Sequence, residues 1–280
     1  MQYRKLFFYV IFVFMFTALW ANGASERSPE ATLTLDDIRL YVDTQNSLVR
    51  MQRQENCDWD QVRALFKKVE PFVAIIDEYG GSKYLEEIPE AIEKCAAGEN
   101  MVVNSQITGK GFNHITFLAI ERELDRMYRS ENMAENAKGI AALAEGIRAP
   151  FQRRDRNFFP ETKEMEKGFD ECLKSLADSN KSNFPVIRRK FEDHMFRNFA
   201  LCVYYEIHET QVNRDENQEL AERHLMEGVV YYRIIADRVK KNNHKSHVFL
   251  SNMLNSTIYK ADETSFMDYL KQGMGDIPLI

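Results

Sequence analysis

The spacing of apolar residues constrains this chain more than any other feature. In DWDQVRALFKKVEPFVAIIDEY, residues 58–79, apolar side chains return every three or four positions. The same period recurs in TLDDIRLYVDTQNSLVRMQ, AENAKGIAALAEGIRAP and ENQELAERHLMEGVVYYRIIADRVKKN. That interval gathers apolar groups on one face of an α-helix, whereas a half-buried strand needs strict alternation. CVYY and GVVYYRII are rich in strand formers, but long helix-forming runs flank both, so they read as buried helix. The expected fold class is all-α, built of antiparallel helical bundles.

Punctuation residues divide the helices. Thr34 or Asp36 can cap the first, Asp58 or Asp60 the second, and Gly80-Gly81 stops the second. Pro71 predicts a kink or break near Glu70, and a third helix starts afresh at Pro89 and ends before Gly98. Thr108, Gly109 and Gly111 read as a turn, with a helix from about Phe112. Pro150 ends the next one. The segment FQRRDRNFFP, residues 151–160, is basic and aromatic without a clear period and reads as a connection. The expected organisation is a first helical half over 33–150 and a second over 161–280. GFNHITFLAIERE and FEDHMFRNFALCVYYEIHE each place a histidine before an apolar stretch that ends in acids, which suggests two related halves.

The N-terminus stands apart from this pattern. Arg4 and Lys5 precede the uninterrupted apolar run LFFYVIFVFMFTALW, residues 6–20, and the small residues of ANGAS follow. This is the layout of a secretory signal peptide, shorter than the ~20 residues of a membrane-spanning helix. Cleavage is expected near Ala24, leaving a polar leader over 25–32 and an exported, periplasmic or secreted chain that does not span the membrane. Loss of Arg4 and Lys5 takes Lys+Arg from 37 to 35 against 43 acids, a net charge of −8. Nucleic-acid binding needs clustered Lys and Arg and is not expected. The four cysteines, Cys57, Cys95, Cys172 and Cys202, fit two bridges in an oxidising compartment. The simplest pairing is Cys57–Cys95 with Cys172–Cys202; the alternative is buried, unbonded thiols.

Two groups of residues could carry chemistry. His114 and Glu121 lie two helical turns apart on one face, ~10 Å along the axis, so a shared ion would need ligands from another helix. Otherwise Glu121, Arg122, Glu123 and Arg126 form a solvated charged face. Glu206 and Glu209 are neighbours on a second helix, with His208 between them and His194 about four turns earlier. Carboxylates with imidazole suit Fe(III), Mn(II) or Zn(II); the plain reading is a polar helix end. His244 and His247 sit in basic, polar surroundings and read as surface. HExxH, GxSxG and GxxxxGK[ST] are absent, no Glu has a histidine three residues on, and enzymatic activity is not expected.

DWDQVRALFKKVEPFVAIIDEY followed by ITGKGFNHITFLAIERE resembles the imelysin-like proteins, a family that includes a periplasmic iron-uptake component working beside an inner-membrane iron permease. Val62-Arg63-Ala64-Leu65-Phe66 with Val69-Glu70-Pro71 resembles the family's early helix, and Gly111 and His114 with a following acid resemble its GxHxxE motif. Phe117 stands where that motif has glutamate. The resemblance implies two related helical bundles, Glu70, His114 and Glu121 as metal ligands, and a metal permease or other envelope protein as partner. The expected function is binding of a metal ion, iron first, for uptake or storage, through Glu70, His114, Glu121, His194, Glu206, His208 and Glu209. The alternative is an envelope interaction or scaffold protein without a metal.

Overall fold

The computed structural model describes residues 32–52, 54 and 56–280. The expected signal peptide and all but the last residue of the expected polar leader lie outside them. Ten α-helices and no strand occur among the described residues. They are α1 Leu35–Met51, α2 Trp59–Gly80, α3 Tyr84–Ala96, α4 Met101–Arg129, α5 Met133–Phe158, α6 Glu164–Ala177, α7 Phe184–Asn213, α8 Gln218–Asn242, α9 His244–Leu254 and α10 Glu263–Met274, with a 3-10 turn at Ile258–Lys260. None is long and apolar enough to cross a membrane.

Local chemistry sets several of the ends. Thr34 and Asp37 form a reciprocal capping box at the start of α1, and Asp58 accepts the Gln61 N–H at the start of α2. Gly81 closes α2 in the left-handed conformation, with φ 65° and ψ 23°, which a side chain would make costly. CVYY and GVVYYRII lie inside α7 and α8.

The proline and glycine signals were overridden by burial. α2 runs unbroken through Pro71, α3 begins at Tyr84 rather than Pro89, and α5 continues through Pro150 to Phe158. Each proline removes one backbone donor, yet its neighbours bury large apolar groups, such as Val69, Phe72 and Val73 around Pro71. The turn expected at Thr108–Gly111 is the interior of α4, which begins at Met101. A Cβ on Gly111 would sit 3.0 Å from the Tyr84 ring, so this glycine serves close packing against α3. The expected connection over 151–160 is mostly helix. Phe151 is fully buried and stacks on Phe169 at 4.0 Å, which carries α5 past the proline.

Helices α1, α2, α3 and α5 surround α4, while α8 packs on α4, α7, α9 and α10. Contacts of α4 with α8 and of α5 with α7 join the early helices to the late ones, and Thr34–Ile280 forms one unit. The core is aliphatic and aromatic. Tyr41 stacks on Phe72 at 4.1 Å, and its hydroxyl lies 3.0 Å from the Thr116 hydroxyl and 3.1 Å from the Phe112 carbonyl. The four cysteines are unbonded, and Cys95, Cys172 and Cys202 are buried. The expected bridges therefore give way to thiols packed as small apolar groups.

Asp155 joins α5 to α6. It is 4% exposed, and its two oxygens accept the Met165 and Glu166 N–H groups at 2.8 Å each. These are first-turn donors with no partner inside their own helix. Asp155→Ala should destabilise the protein by roughly 2–3 kcal/mol, because one buried and one part-buried donor lose their acceptor. Equilibrium urea unfolding followed by circular dichroism checks this.

Candidate functional site

The seven expected ligands occupy separate places. Glu70 is half-buried on α2 and forms no hydrogen bond or ion pair among the described residues. His114 on α4 is held by Tyr84, with 2.8 Å between the phenol oxygen and Nδ1. Burial, with the Arg233 guanidinium nearby, pushes its pKa down to about 3, so the ring is neutral. Glu121 has other partners. It meets α7, where it lies 3.7 Å from Arg188, which also pairs with Asp125 and Glu192.

The later residues diverge too. His194 Nε2 lies 2.7 Å from the Met165 carbonyl of α6. Glu206 faces α8 and lies 2.6 Å from His224 Nδ1. His208 turns to α10 and bonds Glu263, and Glu209 is 3.3 Å from Asn213 Nδ2 on its own helix. Residues spaced for one face of a long helix thus meet different neighbours along its length. No group of three or more His, Cys, Asp or Glu among the described residues is arranged to hold a metal ion. The charged face expected around Glu121 is also partly internal. Arg122 and Glu123 are 2% and 3% exposed at their side chains and pair at 2.9 Å.

A concave site lies elsewhere, between α6, α7, α8 and residues 275–280. Its main cavity is about 410 Å³, and an adjoining one of about 350 Å³ shares Gly168, His194 and Arg197 with it. The Asp155 cap fixes the first turn of α6, and the Met165 carbonyl of that turn fixes His194. The imidazole lies against Gly168, where an added Cβ would be 2.5 Å from the ring, and stacks on Phe151 at 5.6 Å. Only a residue without a side chain leaves that space.

Positive charge dominates the main cavity. Arg189, Lys190 and Arg197 come from α7 and Arg238 from α8, against Asp193 and Asp276. Arg238 Nη2 pairs with Asp193 at 2.7 Å, and Arg189 Nε lies 3.8 Å from the same carboxylate; among the described residues the buried Arg238 Nε has no hydrogen-bond partner. Lys190 is exposed and has no ion-pair partner among the described residues. Cys172 and Met274 supply apolar wall. Burial pushes the Cys172 thiol up, so it stays protonated at neutral pH and is a poor nucleophile. Burial pushes His194 down, and its Nε2 is already committed to a carbonyl. This arrangement can hold an anion beside an apolar wall.

His194 alone was singled out from the sequence. Arg189, Asp193 and Arg197 lie at successive intervals of four in IRRKFEDHMFR, a charged stripe that the sequence does display. Arg238 and residues 275–280 arrive only through tertiary packing. Comparison of the chain with protein-family models, curated proteins and solved structures gave no match.

Glu121 yields a pH test. Burial first, then the facing Glu192, push its pKa up to about 8, above an unfolded value near 4.5. The folded state therefore favours the protonated carboxyl. Its contribution is present below pH 4.5 and is lost as pH rises towards 8. Glu121→Gln should match the parent at pH 4.5 and exceed it by roughly 1–2 kcal/mol at pH 8.5. Urea unfolding of both proteins across that range measures the difference.

Proposed function

We propose that the protein is an exported, non-enzymatic binding protein that holds a small organic anion in the cleft between α6, α7, α8 and residues 275–280. One observation carries this reading: four cationic side chains face a cavity of about 410 Å³ that has only two carboxylates, in a chain of net charge −6. Positive charge gathered in a concave site of an acidic protein focuses its field on an anion. The volume falls in the range that encloses small molecules. Among the described residues the buried Arg238 Nε has no hydrogen-bond partner, and such a donor is costly to leave unbonded. Export rests on the basic and apolar N-terminal run. The protonated Cys172 thiol and the engaged His194 favour binding over catalysis.

The test is isothermal calorimetry and thermal unfolding of residues 25–280 with inorganic phosphate, citrate and octanoate at matched ionic strength. At least one anion should bind and raise the unfolding midpoint, since a ligand specific to the folded state stabilises it. Affinity should fall about tenfold in Lys190→Glu and should weaken with added sodium chloride, because exposed charges are screened. After chelation, Fe(III), Mn(II) and Zn(II) should leave the midpoint in place. A midpoint raised by Fe(III) and by none of the anions would replace this reading with the metal-binding one.

A further inference from the structure

One wall of the cleft is a segment rather than a helix, and its fastening uses the cleft's own cation. Residues 275–280 turn back after α10 and lay Asp276, Ile277 and Pro278 along the cavity. Gly275 makes the turn with φ 67° and ψ −126°, a conformation that side chains rarely adopt. Ile277 and Leu279 anchor the segment, at 7% and 2% exposure. Its polar fastening is Arg197, whose Nε and Nη2 donate to the Leu279 carbonyl at 3.3 and 3.1 Å, while Nη1 pairs with Glu164.

The Nε–Nη2 edge of a guanidinium is the fork that takes a carboxylate or phosphate with two parallel hydrogen bonds. Here a neutral carbonyl oxygen occupies it. Arg197 lines both cavities, so this fork belongs to the site and to the segment at once.

We infer that residues 275–280 are an autoinhibitory strap, latched by Arg197, which an incoming anion displaces from the cleft. This rests on the anion-binding reading above. An anion on the fork makes charge-assisted bonds about twice as strong as those to a neutral oxygen. The Leu279 carbonyl then leaves, the strap loosens and the cavity widens. Opposing this is the apolar burial of Ile277 and Leu279, which returns the strap when the ligand departs. Strap docking and anion binding are therefore negatively coupled, and by linkage each weakens the other equally.

The experiment measures affinity for citrate and for inorganic phosphate, together with hydrogen exchange at the amides of Ile277, Leu279 and Ile280 within 277–280. It compares residues 25–280, the same chain lacking 276–280, and the full-length mature chain carrying Gly275→Ala. The last keeps every anchoring side chain and strains only the turn. Both altered proteins should bind at least threefold tighter, Gly275→Ala should exchange faster at 277–280 without ligand, and ligand should speed that exchange in the parent. Weaker binding in Gly275→Ala, or slower parental exchange with ligand, would overturn the strap as an inhibitor and make it part of the binding wall. If neither anion binds any of the three, the anion reading fails by itself. The latch is then still decided by Arg197→Met, which must speed exchange at 277–280 with no ligand present; unchanged exchange overturns it.

Discussion

Lys110 of α4 and Glu227 of α8 meet at 2.8 Å with side-chain exposures of only 15% and 11%, and this buried pair ties an early helix to a late one. Two charges taken this far out of water are tolerable only when bonded to each other and to further groups. The surroundings supply those groups. Lys110 Nζ lies 5.5 Å over the Tyr231 ring, and Arg153 of α5 reaches the Tyr231 hydroxyl at 3.3 Å. Burial works to lower the Lys110 pKa, but Tyr231 and Glu227 outweigh it and the net shift is upward, so the ammonium stays charged. The Glu206–His224 contact ties α7 to α8 close by. Four helices, α4, α5, α7 and α8, thus share one internal charged network. Apolar contacts would let them slide, but an interior charge fixes their register, since a shifted register would strand it.

The cleft inherits its geometry from that arrangement. Holding α7 against α8 sets Arg189, Lys190 and Arg197 opposite Arg238. Holding α5 against α7 sets the Asp155 end of α5, from which α6 starts. The Asp155 cap, the Met165 carbonyl and His194 then form a continuous chain of hydrogen bonds from the joint to the cavity wall. Gly168 leaves room for the ring at the end of that chain. The site is concave because a helix, α6, and a turned-back segment stand on either side of α7, and it is basic because Arg189, Lys190 and Arg197 of α7 line its rim and wall.

Helix type was legible in the sequence because period 3.6 needs no partner to be seen. Helix boundaries were less so. Pro71, Pro89 and Pro150 each announced a break, and each was outweighed by apolar burial that a local reading does not price. Gly109 and Gly111 looked like a turn because backbone freedom and close packing use the same residue, and only the Tyr84 ring tells them apart. The candidate ligands failed for a related reason. Spacing shows which residues share a face at one level of a helix, but α7 has 30 residues and meets α6, α8 and α10 in succession. His194, Glu206 and His208 are therefore taken by three different neighbours. The basic stripe of α7 was visible as a pattern. Its function was not, since a stripe becomes a cavity only when α8 and residues 275–280 stand opposite it.

The most direct test of the cleft as an anion site is amide chemical-shift mapping of nitrogen-labelled residues 25–280 during a citrate titration. The account predicts saturable shifts confined to Gly168, His194, Arg197, Arg238 and residues 275–279, leaving the helices around His114 and Glu121 undisturbed. Saturable shifts centred on Glu70, His114 or Glu206, or none in the cleft at any concentration, would contradict it.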